Sequence, residues 1–196
     1  MKDIITNILD ESIRVKENFI RNNIELIIKG ADRLVACIAS GHKILIFGNG
    51  GSAADAQHIA AEFINRFQIE RPPLAALALT TDTSVITSIG NDYHFDEIFA
   101  KQIRALGQKD DIAIGISTSG NSGNVVKAVE AAKDIRMFTI AFTGRGGKLA
   151  ECADMAFAVE SDTTARIQES HITLGHILCD LVDRMLFPQR SAEMKF

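Results

Sequence analysis

Cysteine is scarce in this chain. Cys37, Cys152 and Cys179 are odd in number, far apart and free of any Cys-x-x-Cys pair, so no disulfide framework is encoded and the thiols read as reduced and mostly buried in a cytoplasmic protein. Basic excess is missing too: 21 Lys and Arg stand against 25 Asp and Glu, a net charge of -4, which leaves no electrostatic footprint for nucleic acid. No apolar run approaches the roughly 20 residues that span a bilayer. Asp3, Asp10 and Glu11 interrupt the N-terminus in a way no signal peptide tolerates. Repeats, low-complexity tracts and linkers are lacking, and 196 residues read as one domain with ample chain for a core.

Apolar periodicity supplies the architecture. Residues 1–40 read as helix with one interruption near Gly30, and carry an apolar stripe (Ile4, Ile8, Leu9, Ile13, then Ile24, Ile27, Ile28, Leu34, Val35, Ile38) that has to be buried on something. Five short apolar runs follow, Ile44–Phe47, Leu74–Leu79, Ile112–Ile116, Phe138–Phe142 and Met155–Val159. Helix-like segments Ala53–Arg66, Phe95–Leu106 and Val125–Lys133 lie between them, and a last helix runs from about Thr164 to Leu186. Strands alternating with helices predict an α/β fold, a three-layer αβα sandwich on a five-stranded parallel sheet. In the common flavodoxin-like order 2-1-3-4-5, ligands bind where strand order reverses, between strands 1 and 3.

The two most distinctive loops follow those two strands. After strand 1 comes Gly48-Asn49-Gly50-Gly51-Ser52, then a helix; strand, glycine loop and helix aim backbone N–H groups and a helix N-terminus at an anion. The loop has no third glycine for a dinucleotide site and no Gly-Lys-Ser/Thr for a P-loop. After strand 3 comes Ser117-Thr118-Ser119-Gly120-Asn121-Ser122-Gly123, whose hydroxyls and N–H groups can satisfy a phosphate without Lys or Arg. The competing reading is a Ser/Thr/Gly turn that only caps a helix. On the helix after the glycine loop, His58 and Glu62 are four residues apart and share a face, either as a surface pair or as ligands to one group. Gln168 and His176 lie about two turns apart on the last helix. His171 is about 140° round from His176 and points elsewhere.

At GNGGSAADAQHIAAEF, TTDTSVITSIGNDY, GISTSGNSGNVVKA and ARIQESHITLGHILCDLVD the chain resembles the sugar isomerase (SIS) domain family and, within it, the phosphoheptose isomerases. These convert sedoheptulose 7-phosphate to D-glycero-D-manno-heptose 7-phosphate through an enediol, the first step of heptose biosynthesis for lipopolysaccharide or a related glycan. The resemblance covers essentially the whole chain. It implies that Ser117, Thr118, Ser119 and Ser122 hold the phosphate, and that Asn49, Gly50, Gly51, Ser52, Asn91, Asp92 and Gln168 line the sugar site. It further implies that Glu62 and His176 are the acid–base pair, and that one zinc per subunit sits among His58, Glu62, Gln168 and His176. Ala165 stands where some relatives carry Asp. Two ligands eight residues apart on one helix are separated by about 12 Å of rise, so Gln168 and His176 meet on one metal only at a bent helix start or across subunits.

A glutamate and a histidine suit aldose–ketose chemistry, which needs a base for a carbon-bound proton and an acid/base for the oxygens. The extra stripe of residues 1–40 predicts an oligomerisation segment and a homotetramer with sites at subunit boundaries. The alternative is a non-catalytic SIS protein that binds a replication initiator or senses a sugar phosphate. Such proteins lack the acid–base pair or carry a DNA-binding module; this chain keeps Glu62 and His176, and its N-terminal helices are too few and too acidic for such a module.

Overall fold

A computed structural model describes residues 1–191 of the chain. Two N-terminal helices, α1 (Lys2–Asn22) and α2 (Ile24–Ala39), precede a run of alternating strands and helices. The elements are β1 (Ile44–Gly48), α3 (Gly51–Ile64), β2 (Ala76–Ala78), α4 (Thr83–Asp92), a 3-10 turn at Phe95–Glu97, α5 (Ile98–Leu106), β3 (Ile112–Ser117), α6 (Gly123–Asp134), β4 (Phe138–Thr143), α7 (Lys148–Cys152), β5 (Met155–Ala158), α8 (Thr164–Leu186) and α9 (Pro188–Ser191). The five strands form one sheet in the order β2-β1-β3-β4-β5, every pair parallel. This is the predicted α/β sandwich, with strand order reversing between β1 and β3.

Side chains alternate across a strand, and the sheet sorts its residues accordingly. Ile44 and Ile46 of β1 and Ile112, Ile114 and Ile116 of β3 face one core, with Leu34, Phe63, Phe157 and Leu174. Leu45 and Phe47 of β1 and Ala113 of β3 face the other, with Phe99, Ile103, Val125 and Leu149. Both faces are covered, which is why the strands read as continuous apolar runs.

Two details correct the sequence reading. The N-terminal helix breaks at Asn23, not near Gly30: the Asn23 side chain turns back to donate to the Phe19 carbonyl at 2.8 Å. Gly30 lies inside α2, where an added Cβ would stand 3.2 Å from the Phe157 ring, so the glycine serves helix–sheet packing. The apolar stripe also divides. α2 buries Ile27, Ala31 and Leu34 in the core beneath the sheet. α1 buries Val15 and Phe19 near its C-terminal end, while Ile4, Ile5, Ile8, Leu9 and Ile13 remain 50–66% exposed. α1 is tied to α8 by Arg166, which donates to the Ile8 carbonyl at 2.8 Å, and by Ser12, whose hydroxyl donates to Glu169 at 2.6 Å.

Candidate active site

The loops after β1 and β3 stand side by side at the carboxyl end of the sheet. Gly48 makes that approach possible: a Cβ there would fall 2.8 Å from the Ile116 carbonyl oxygen. Asn49 and Asn124 bond reciprocally, each amide donating to the other's oxygen at 2.9 Å, which links the glycine loop to the start of α6. Asn124 is buried and escaped the sequence reading; its signal was its place just after the serine loop. Gly51, the first residue of α3, is packed by the Gln168 amide where a side chain would otherwise project. Thus Asn49, Gly50, Gly51, Ser52 and Gln168 come together across α3 and α8.

The serine loop is a cup rather than a cap. Ser122 occupies the N-cap position of α6 but makes no capping bond with its side chain. Its Oγ lies 2.9 Å from Ser117 Oγ, and Ser117 Oγ lies 3.3 Å from Ser119 Oγ. With the backbone N–H groups of Gly123 and Asn124 at the start of α6, these hydroxyls are groups that can meet the oxygens of an anion such as phosphate. The cup is braced from the loop after β4. Gly144 donates its N–H to the Thr118 carbonyl at 3.1 Å, and Leu149 donates to the Gly120 carbonyl at 2.9 Å. The Lys148 N–H donates to the Asn121 side chain at 3.1 Å. Gly120 adopts a φ of 65° against the Gly146 carbonyl, where a Cβ would collide; only glycine fits that contact without strain.

Further along the seam between α3 and α8 lie the titratable groups. His58 Nε2 is 3.1 Å from Glu62 Oε1 and 3.3 Å from His176 Nε2, and the Phe67 ring stacks on His176. Burial, reinforced by His58, holds the His176 imidazole below its ordinary pKa, with Glu62 pulling the other way. Asp55, one turn before His58, was not singled out by the sequence. Its Oδ2 is buried without a hydrogen-bond partner, and burial raises its pKa, opposed by His58. His171 points away, as its helical phase requires. It is fully buried, shares a 3.0 Å hydrogen bond with the Thr143 carbonyl and is pushed by burial down to about 4.

Two expected residues stand apart. Asn91 and Asp92, at the end of α4, are exposed, and the Asn91 amide donates to Asp92 at 2.8 Å rather than to either loop. Ala165 is exposed at the start of α8. Of the four expected zinc ligands, His58, Glu62 and His176 lie together and the Gln168 amide packs on Gly51; among the described residues no three His, Cys, Asp or Glu side chains are already drawn into the spacing of a metal centre. Two cavities lie elsewhere, one of 510 Å³ at the opposite end of the sheet beside Arg33, His42 and Arg136, and one of 550 Å³ between α4 and α5.

The model of the SIS domain matches residues 8–144. A phosphoheptose isomerase of Thermodesulfovibrio yellowstonii is 57% identical over 196 residues, covering 100% of this chain and 98% of that protein. One of Nitratidesulfovibrio vulgaris is 56% identical over 178 residues, 90% of this chain and 86% of that protein. The solved structure of a phosphoheptose isomerase from Neisseria gonorrhoeae superposes with a TM-score of 0.88 at 48% identity, covering 93% of this chain and 98% of that one.

Proposed function

The chain belongs to the SIS domain family and is a sugar-phosphate isomerase; from that premise we propose that it converts sedoheptulose 7-phosphate to D-glycero-D-manno-heptose 7-phosphate through an enediol. The observation that carries this reading is an anion cup without a basic side chain, linked through Asn124 and Asn49 to the glycine loop that opens α3, together with a Glu–His–His cluster further along α3. The cup lies at the N-terminus of α6, and the cluster lies on the seam of α3 with α8. Phosphate bound by Ser117, Thr118, Ser119 and Ser122 leaves the sugar to extend along Asn49–Ser52 and Gln168 toward Glu62 and His176.

The residue chemistry matches the steps. Glu62 takes a proton from C1 of the ketose while O2 gains one, giving the enediol. O1 then gives up its proton and C2 receives one, leaving an aldehyde at C1. His176, an imidazole beside Glu62 and His58, is suited to give and take the oxygen-bound protons.

Zinc belongs to the same proposal. His58 and His176 nitrogens with Glu62 and Gln168 oxygens are the donor types of a tetrahedral zinc site, and the 3.3 Å approach of two imidazole nitrogens beside a carboxylate fits that chemistry. A bound zinc would stabilise negative charge developing on the sugar oxygens. Elemental analysis after mild purification should give one zinc per subunit, a stoichiometry lost in His58→Ala. Full activity of exhaustively metal-free protein would remove zinc from the account.

The exposed stripe of α1 and the outward-facing Asn91 and Asp92 support a homotetramer whose sites lie at subunit boundaries. The carbon skeleton handled implies a role in heptose supply for a glycan. No helix among the described residues is long and apolar enough to cross a membrane, and reduced thiols accord with a cytoplasmic site of action. Following sedoheptulose 7-phosphate by NMR tests the reading: an aldose phosphate should appear. Tight binding without turnover would favour the sugar-phosphate sensor instead.

A further inference from the structure

One buried ion pair lies on the catalytic seam without touching the crevice. The Arg71 side chain is 0% exposed and that of Asp183 is 4% exposed. Arg71 Nε donates to Asp183 Oδ1 at 2.7 Å. Its remaining donors go to backbone carbonyls: Nη2 to Glu62 at 2.8 Å, and Nη1 to Phe63 at 2.7 Å and Pro72 at 3.2 Å, with Asn65 at 3.4 Å. The guanidinium therefore gathers the end of α3 at the residue whose side chain meets His58. Asp183 belongs to α8, seven residues beyond His176, which is about 10.5 Å along the helix and about 20° round it. Just before His176 comes the close passage of α8 over α3, where an added Cβ on Gly175 would stand 2.7 Å from Ile59.

We propose that Arg71 and Asp183 are positioning residues that set the register of α3 against α8, and through it the placement of Glu62 and His58 against His176. The inference rests on the proposed acid–base roles of Glu62 and His176. Stability alone gives no reason to keep this pair. Charges withdrawn from water recover their desolvation cost only with excellent geometry, and well-packed apolar residues of similar volume often serve as well. Asp183 Oδ2 lacks a hydrogen-bond partner, so the cost is only partly offset. What an apolar pair cannot supply is direction: the Nη atoms are fixed on carbonyls at the end of α3 and Nε on Asp183 of α8, so sliding α8 along α3 either breaks the Asp183 bond or pulls the guanidinium off the α3 carbonyls. A sub-ångström register is what proton transfer needs, since a misplacement of 1 Å from a remote change can cost about 10²-fold in rate.

The test separates position from stability. Arg71→Met alone leaves Asp183 buried and unpaired and is expected to weaken the fold. Arg71→Met combined with Asp183→Leu removes both charges and is expected to unfold near the native temperature. The double variant should still show kcat for sedoheptulose 7-phosphate reduced about 10- to 100-fold with KM little changed. It should also lose the through-space NMR contact between the His58 and His176 rings, whose centroids are 4.9 Å apart. Native kcat together with an intact ring contact in the folded double variant would overturn the proposal. Should that variant not fold, Arg71→Lys decides, because it keeps a charge for Asp183 but lacks the fork that reaches the α3 carbonyls. Reduced kcat with a native KM supports positioning, and native kcat overturns it. The ring contact needs no substrate, so if the wild-type chain turned over no heptose phosphate, the functional reading would fail while the placement claim was still decided.

Discussion

The serine loop after β3 and the Asn91–Tyr93 end of α4 are expected to meet opposite ends of the substrate; the latter touches neither the serine loop nor the glycine loop, although Asp96, three residues beyond Tyr93, sets its carboxylate against Gly123 at the start of α6. They are built in opposite ways. Every turn of the serine loop is tied within the subunit: Thr118 to Gly144, Gly120 to Leu149, Asn121 to Lys148, Ser117 to Ser122. Asn91, Asp92 and Tyr93 project into solvent, with only a neighbour-to-neighbour bond between the first two and a Lys101 ammonium over the Tyr93 ring. On the proposed reading, the difference follows from the ligand. A phosphate is the same on every sugar phosphate and can be met by a rigid, preorganised cup. The sugar end must be closed around a particular chain of hydroxyls, and within one subunit it stays open. In the proposed assembly, a second copy docked through the α1 stripe would supply what is missing.

The largest expected effect breaks the sugar end alone. Glu62→Gln keeps shape and removes the base, so kcat should fall about 10²–10⁴-fold while inorganic phosphate binds as before. Steady-state kinetics and phosphate titration check both halves, and near-native turnover in a metal-loaded sample would remove Glu62 from the mechanism. Breaking the proposed boundary comes next. Ile8→Asp, in the exposed stripe, should dissociate the assembly in sedimentation at micromolar concentration and lower kcat/KM roughly tenfold or more, as expected when a site loses positioning groups. A 21.4 kDa monomer with full activity would contradict shared sites.

Breaking the cup should act on binding instead. Ser119→Ala removes a hydrogen bond to a charged group, worth about 1.5–3 kcal/mol, so KM should rise roughly 10- to 100-fold with kcat nearly unchanged. An equal fall in kcat would mean that the serine loop does more than hold phosphate.

The smallest effect probes the brace. His171 fixes the Thr143 carbonyl next to Gly144, and burial holds its pKa at about 4 against an ordinary 6.5. The unfolded chain therefore binds the proton first as pH falls. This contribution to stability is complete above about pH 6.5 and is lost as pH drops toward 4. Between pH 7 and pH 5.5 it should shrink by about 1 kcal/mol, read as a change in the stability difference between the native chain and His171→Asn in denaturant titrations. A pH-independent difference would show that the imidazole is not buried neutral.

What the sequence revealed follows the same division. The sheet was legible because strands buried on both faces must be continuously apolar, and the loops because glycines and hydroxyls are unusual directly after such strands. The phase of His171 was legible from helical geometry alone. Long-range polar contacts were not. Asn124 reaches Asn49 across 75 positions, and Arg71 reaches Asp183 across 112; no local pattern marks such partners. Gly30 misled because a helix-interior glycine reads as a break unless the Phe157 ring that needs the space is known. α4, with no fully buried residue, had no apolar stripe strong enough to announce it. The positions of Asn91 and Asp92 rested on resemblance, and in the single subunit they meet neither loop.

The central claim, proton transfer through an enediol at Glu62 and His176, has a direct measurement. Sedoheptulose 7-phosphate incubated with the chain in D₂O should yield an aldose phosphate carrying solvent deuterium at C2, seen by NMR and mass spectrometry, and Glu62→Gln should give neither product nor label. Product formed at full rate with C2 free of deuterium, or label appearing as fast in Glu62→Gln as in the native chain, would contradict it.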